Sequence, residues 1–176
     1  MTSAFGAGHL LFIFMVKLLT RKSMKKQYWI MKSEPSEFSI DDLEKAGESF
    51  WDGVRNYQVR NMFRDIMKEG DRALFYHSNT KEIGIVGEME ISQTAIIDLT
   101  QFDSKSKYYD GKSSKDNPRW IGPCVRFIKK FKKIVSLDKL KTDKTFSDLP
   151  FIKKGNRLSV IQITKEQFQK IRELSR

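Results

Sequence analysis

Short β-prone runs separated by brief, unevenly spaced helical segments constrain this chain more than any other feature. A doubly wound sheet needs regular strand–helix alternation, and that regularity is missing. Residues 27–33 (QYWIMKS), 72–77, 83–91, 119–135 and 158–163 are rich in aromatic and β-branched residues and are bounded by turn formers. Pro35 ends the first run, Gly84 and Gly87 point to a bulge or a close backbone approach in the third, and Pro123 hints that the fourth is an edge. Between them, Ser39 with Asp42 predicts a capped helix over 40–46 stopped by Gly47. Val59, Met62, Phe63, Ile66 and Met67 form one apolar stripe on a second helix that ends at Gly70. Residues 98–118 are a polar, turn-rich excursion, 137–141 and 148–153 are short helical turns, and Thr164 with Gln167 caps a terminal helix. The expectation is an α+β domain of about six strands, built as a curved mixed sheet or small pseudo-barrel with short surrounding helices.

With 176 residues, 39% of them apolar and thirteen of them Phe, one domain can bury a core without staples. Residues 1–23 are expected to lie outside it, as an N-terminal extension before a domain spanning 24–176. Their apolar run at 10–19 is too short for a bilayer, and the basic residues follow it rather than precede it, unlike a secretory signal. A peripheral anchor or a targeting leader is the alternative there. A lone Cys124 excludes an internal disulfide and fits a reducing compartment, and the two histidines, His9 and His77, leave little for a metal site. Neither GxGxxG nor GxxxxGK[ST] occurs, so a nucleotide-phosphate cradle has no support.

Charge is unevenly distributed. Residues 34–103 carry seven Lys/Arg against fifteen Asp/Glu, whereas 104–144 carry thirteen against four, within a net charge of +11. Such polarity suggests a face for a polyanion; solvated lysines on loops are the plainer reading. Aromatics recur beside polar groups at element ends: Trp29 before Lys32, Ser33 and Glu34; Trp51 with Asp52, Arg55 and Asn56; Tyr76 with His77, Ser78 and Asn79. Rings that stack on bases and cations that take phosphates make this mixture suited to nucleic acid. Trp29 reads as core and Trp120 as structural, which leaves Trp51, in a loop beside Gly53, as the tryptophan placed for a ligand. Nucleophilic catalysis by Cys124 with His77 lacks an orienting third group.

Five blocks, YWIMKSEPSEFSIDDL (28–43), WDGVRNYQVRN (51–61), DRALFYHSNTKEIGIVGEMEI (71–91), the stretch from Phe102 to Trp120, and GNRLSVIQIT (155–164), resemble the EVE domain family in order and content. The family pattern departs after Arg119-Trp120, where this chain has Ile121-Gly122-Pro123. The resemblance implies a PUA-like fold related to YTH and PUA domains, and a non-catalytic reader that admits a modified base in DNA or RNA. It implies that Lys32, Ser33 and Glu34 line the pocket, that Trp51, Asp52, Val54, Arg55 and Asn56 close over the base, and that Trp51 is the stacking platform. Tyr76, His77, Ser78 and Asn79 are expected on the opposite wall, with Asn156, Arg157 and Ser159 nearby. Phosphate contacts are expected from Arg60, Arg64, Lys105, Lys107, Lys112, Lys129 and Lys130. No cofactor, metal or membrane is expected, and the protein is expected to be monomeric, cytoplasmic in a bacterium or nuclear in a eukaryote. The alternatives are an enzyme on a modified base or nucleotide with His77 as acid–base, and a PUA-like RNA-binding module in translation or RNA modification.

Overall fold

The computed structural model describes residues 26–152 and 156–176, so the expectations for residues 1–23 lie outside the described residues. Six strands form one mixed sheet: β1 (Tyr28–Ser33), β2 (Glu48–Phe50), β3 (Arg72–His77), β4 (Gly84–Ile97), β5 (Ile121–Ser136) and β6 (Val160–Ile163). Their spatial order is β2-β5-β4-β3-β1-β6, with β1 and β3 parallel and the other pairings antiparallel. The hydrogen-bonded order is therefore open at β2 and β6 rather than closed into a ring. Register shifts along the long β4–β5 pair supply the bulges that bend such a sheet.

Both faces of the sheet are covered, which explains why the centre of β1 is apolar without interruption. Trp29 and Met31 join Phe75 and Met89 on one face, beneath α1 (Ile40–Ala46) and α2 (Tyr57–Asp65). Ile30, Leu74 and Ile85 point to the other face. There they meet Leu140 of α3 (Leu137–Thr142), Phe146 and Phe151 of short 3-10 turns, and Phe168 and Ile171 of α4 (Lys165–Leu174). Glu88, only 1% exposed, is also held by cations: Arg72 contacts it directly, Arg172 of α4 lies 3.2 Å away and Lys129 3.7 Å away. The capping boxes read from Ser39/Asp42 and Thr164/Gln167 both form.

Several details differ from the sequence reading. β2 has only three residues, too few to show an alternating pattern, and its segment reads as loop. β4 continues six residues past Ile91 through the polar Ser92–Thr94. Pro123 does not mark an edge, since β5 lies between β2 and β4. It is tolerated because it lies just past the three-residue β2 pairing, which ends at Phe50 and Cys124: its carbonyl accepts the Trp51 N–H (2.9 Å), and no ladder bond there calls for its missing N–H. On α2, Val59 and Phe63 are buried; the helix ends at Asp65 rather than near Gly70, so Ile66 is its exposed C-cap and Met67 is buried in the turn beyond it. Gly87 is a true close approach: a Cβ there would lie 2.7 Å from Ile40 Cδ1 and 2.8 Å from the Lys129 carbonyl, so its absence lets α1 settle on the sheet.

The turn between α2 and β3 is secured by buried Asp71. Its carboxylate accepts from the Gln27 N–H (2.9 Å), the Trp29 indole N–H (3.0 Å) and the Lys68 N–H (2.9 Å). Removing it takes away an acceptor shared by three donors, one of them in the core. Asp71→Ala is expected to cost about 2–4 kcal/mol, read as a lower urea midpoint at unchanged slope. A midpoint equal to wild type would show that these bonds contribute nothing net.

Candidate nucleic-acid interface

A cavity of about 750 Å³ opens at the end of the sheet where β1 and β3 finish, a size within the usual range for small-molecule sites. Five separate stretches of chain build it. Lys32, Ser33, Glu34, Glu37 and Phe38 come from the end of β1 and the turn into α1. Ser49 to Asn56 come from β2 and the loop after it. Ser78 follows β3, and Lys107 with Tyr108 belongs to the polar excursion. Arg157 and Ser159 lead into β6. Lys32 N–H donates to the Ser159 carbonyl (2.8 Å) and Ser78 N–H to the Ser33 carbonyl (2.9 Å), which ties three of these stretches together at the rim.

The apolar part of the wall is aromatic. Trp51 is 7% exposed; its indole packs edge-on against Phe75 (5.2 Å between centroids) and Phe38 (6.4 Å). It is thus a wall residue of the main core that borders the cavity, with its backbone N–H bonded to the Pro123 carbonyl (2.9 Å), rather than part of a free loop. Of the three tryptophans, Trp29 donates its indole N–H to Asp71 and Trp120 donates to Asp110 (2.7 Å). Trp51 has no such acceptor among the described residues, so its N–H remains available to a ligand.

The loop 51–56 is positioned by Asp98, 2% exposed at the foot of the excursion. Its carboxylate accepts from Gly53 N–H (3.1 Å), Arg55 Nη1 (2.7 Å), Thr100 N–H (2.9 Å) and Thr100 Oγ1 (2.6 Å). Gly53 has φ of +73°, and the Tyr108 ring lies where a Cβ would project, so both the turn and the packing require glycine. Arg55 lines the cavity but spends its donors internally: besides Asp98, it bonds the Tyr108 carbonyl (2.7 Å), the Val54 carbonyl (3.2 Å) and Thr100 Oγ1 (2.8 Å). Asn56 lines the cavity too, while its side-chain oxygen caps α2 through Gln58 and Val59 N–H.

Other expected site residues fall elsewhere. Strand alternation sends Tyr76 to the opposite face of the sheet, where it packs edge-on against Phe151, and burial pushes its hydroxyl up to about 12. His77 accepts the Ile40 N–H at Nε2 (3.1 Å), capping α1, and burial lowers its pKa. Asn79 donates to Glu34 (2.9 Å) at an exposed turn with φ of +50°. Asn156 accepts the Leu158 N–H (2.6 Å) as a local turn. None of these four lines the cavity. Sequence reasoning missed Glu37, Phe38, Ser49, Phe50, Gly53 and Tyr108, which reach the cavity through folding of distant segments. The pattern of aromatics near Trp51 held a signal only for Phe50.

The expected phosphate ligands are similarly divided. Lys107 contacts Glu37 across the cavity rim, Lys130 pairs with Asp41 (2.6 Å), Lys129 with Glu88, and Arg64 with Asp65 (2.7 Å). Arg60, Lys105 and Lys112 make no ion pair among the described residues. Burial lowers the pKa of Lys32 and raises that of Asp52, the latter helped by the charge of Asp98. Among the described residues no group of three or more His, Cys, Asp or Glu is placed to hold a metal, and no helix is long and apolar enough to cross a membrane.

Burial alone would raise the pKa of Asp98, yet its bonds to Arg55, Thr100 and Gly53 hold it below the usual carboxylate value. A carboxyl lowered on folding stabilises the protein above its unfolded pKa of about 4, and the contribution is lost as pH falls through the lower folded value. Asp98→Ala is expected to cost about 3–5 kcal/mol at neutral pH, because Arg55 is left half-buried and uncompensated. The gap between wild type and Asp98→Asn should narrow in urea melts as pH drops below about 4. A gap independent of pH would remove the ion pair from the account.

Comparison with known proteins gives these features a family. The EVE domain model matches residues 27–174. Thymocyte nuclear protein 1 from rat is 47% identical over 126 residues, covering 65% of this chain and 55% of the relative, so the chain spans about half the length of that curated protein. An uncharacterized fission yeast protein is 35% identical over 173 residues, covering 90% of this chain and 72% of the relative. Among solved structures, a Pseudomonas syringae protein superposes with TM-score 0.81 at 45% identity, covering 85% of this chain and 99% of that one. The human THYN1 protein in complex with 5-methylcytosine-containing DNA superposes with TM-score 0.79 at 38% identity, covering 85% and 98%. A YTH domain from Zygosaccharomyces rouxii, 17% identical with TM-score 0.50, shares the fold alone. The architecture is the PUA-like α+β fold, and the chain belongs to the EVE domain family.

Proposed function

We propose that this chain is a non-catalytic DNA-binding domain that reads a modified base, turned out of its helix, in the cavity beside Trp51. The observation that carries this reading is the wall itself. Phe38 and Trp51 offer an apolar surface, the Trp51 N–H is unspent, and the ends of β1 and β3 bring Ser33, Glu34 and Ser78 to the same rim. A base needs these two things together, a ring-lined surface and a few edge-reading polar groups. The human relative bound to 5-methylcytosine DNA supports a methylated cytosine as the first ligand to try.

Affinity and selectivity have different sources in this reading. One added methyl is worth about 1 kcal/mol by area, or roughly fivefold in affinity. Phosphate contacts carry the larger, salt-sensitive part. Trp51 serves as a wall against which the base packs, since most of its surface is already engaged by Phe75 and Phe38. The pocket ligands we favour are the cavity-lining members of the expected set, Lys32, Ser33, Glu34, Trp51, Asp52, Val54, Asn56, Ser78, Arg157 and Ser159, with Arg55 holding the wall in place. An enzymatic reading with His77 as acid–base is disfavoured, because Nε2 is occupied by a backbone N–H and the ring is outside the cavity. A DNA reader works in the nucleus of a eukaryote or the cytoplasm of a bacterium.

The test is a competition among 5-methylcytosine duplex, unmodified duplex and RNA of the same sequence. Methylated DNA is expected to bind best, by roughly fivefold over unmodified DNA. Trp51→Phe, which keeps an aromatic wall but removes the N–H, should reduce that ratio while leaving salt-dependent background binding intact. Equal affinity for the two duplexes across a panel of modified bases would defeat the proposal, and a preference for the RNA would favour an RNA-binding module instead.

A further inference from the structure

Beside the cavity, three guanidinium groups pack against three aromatic rings. Arg55 lies 5.5 Å from the centroids of both Tyr108 and Trp120; Trp120 packs on Tyr57 at 4.8 Å and 31°. Arg60 then sits 4.9 Å from the Tyr57 centroid and Arg119 5.5 Å from it, with Arg119 also donating to the Tyr57 hydroxyl. The inner end of this stack is internally satisfied, as the bonds of Arg55 show. The outer end is different. Tyr57 is 45% exposed, and it directly follows Asn56 on the cavity wall.

Arg60 forks its Nε and Nη2 onto the Asn61 amide oxygen (3.2 and 2.8 Å) and gives Nη1 to the Arg119 carbonyl (3.3 Å). Both acceptors are neutral, and among the described residues no carboxylate forms an ion pair with it. Its charge is therefore offset only at longer range, by Asp65, while its plane is already oriented by a ring. A charged phosphate oxygen is a stronger acceptor for such a fork than an amide. Arg119 adds a second guanidinium on the same ring, partly offset by Asp110 at 3.2 Å.

We infer that Arg60, held on Tyr57 with Arg119 beside it, grips a backbone phosphate of the DNA strand next to the nucleotide whose base enters the cavity. This rests on the function proposed above, and it assigns strand positioning to a surface separate from the base-reading wall. A phosphate contact carries no information about the base, so the two surfaces should fail in different ways.

The experiment measures duplex affinity at several salt concentrations for wild type, Arg60→Gln, Arg60→Lys and Tyr57→Leu, with thermal melts to verify folding. Arg60→Gln is expected to weaken methylated and unmodified DNA by the same factor and to reduce the salt slope by about 0.9, or about fivefold at 0.15 M salt. Arg60→Lys should retain most of the slope. Tyr57→Leu, which preserves apolar packing on Trp120 but removes the ring that orients Arg60, should weaken both duplexes equally and provides the test if Arg60→Gln does not fold. An unchanged slope in Arg60→Gln, with wild type binding DNA, overturns this inference alone. A wild-type protein that ignores DNA overturns it together with the proposed function.

Discussion

Asp98 is almost sealed from water, and a carboxylate in that position is tolerable only when donors surround it. The donors it recruits come from the loop after β2 and from the start of the excursion, two segments more than forty residues apart. Satisfying one buried charge therefore sets the path of the wall between Trp51 and Asn56. It also commits Arg55, whose remaining bonds hold the Tyr108 backbone and bring that ring over Gly53. The longest loop of the cavity is tied at its middle by the Asp98–Arg55 ion pair. A basic residue at a nucleic-acid site is easily read as a phosphate ligand; here its hydrogen bonds make it an internal clasp.

The charge pattern of the sequence gains a different meaning in three dimensions. The acidic stretch contains α1, β2 and β4, and the basic stretch contains β5, which runs between β2 and β4 and beneath α1. Arg126 meets Glu48 and Glu90, Lys129 meets Glu88, and Lys130 meets Asp41. Much of the segregation along the chain is thus complementarity between neighbours in the sheet. The exposed pairs, Arg126–Glu48 and Lys130–Asp41, contribute little stability each, but all of these pairs cancel field that a simple count assigns to a polyanion. The cations that remain outside ion pairs among the described residues, such as Arg60, Lys105 and Lys112, are the better guide to where phosphates approach.

The fold was legible where local chemistry decides it. Capping at Ser39 and Thr164, the continuous apolar run of β1 and the polar excursion all follow from adjacent residues, and the five family blocks supply the architecture. The three residues of β2 and the polar extension of β4 were not legible, because pairing with β5 rather than intrinsic preference makes them strands. The site was legible in its segments and not in its members. A contiguous block such as Tyr76 to Asn79 reads as one wall, yet in a strand successive side chains alternate faces. Tyr76 goes to the far core, His77 to the start of α1, and Ser78 to the cavity.

That alternation also explains why the wall mixes aromatic and polar groups. The cavity lies where β1 and β3 end, so the core face supplies Phe75 behind Trp51, while the first residues past the strands, Glu34 and Ser78, supply polar side chains that keep acceptor capacity beyond their bonds to Asn79 and the Ser33 carbonyl. A site placed deeper along the strands would be lined by core residues alone and could not read the edge of a base. One placed further out, on the excursion, would lose the rigid aromatic backing. The strand ends are where both requirements coincide, and the buried carboxylate at position 98 keeps the third side of the box from drifting away from them.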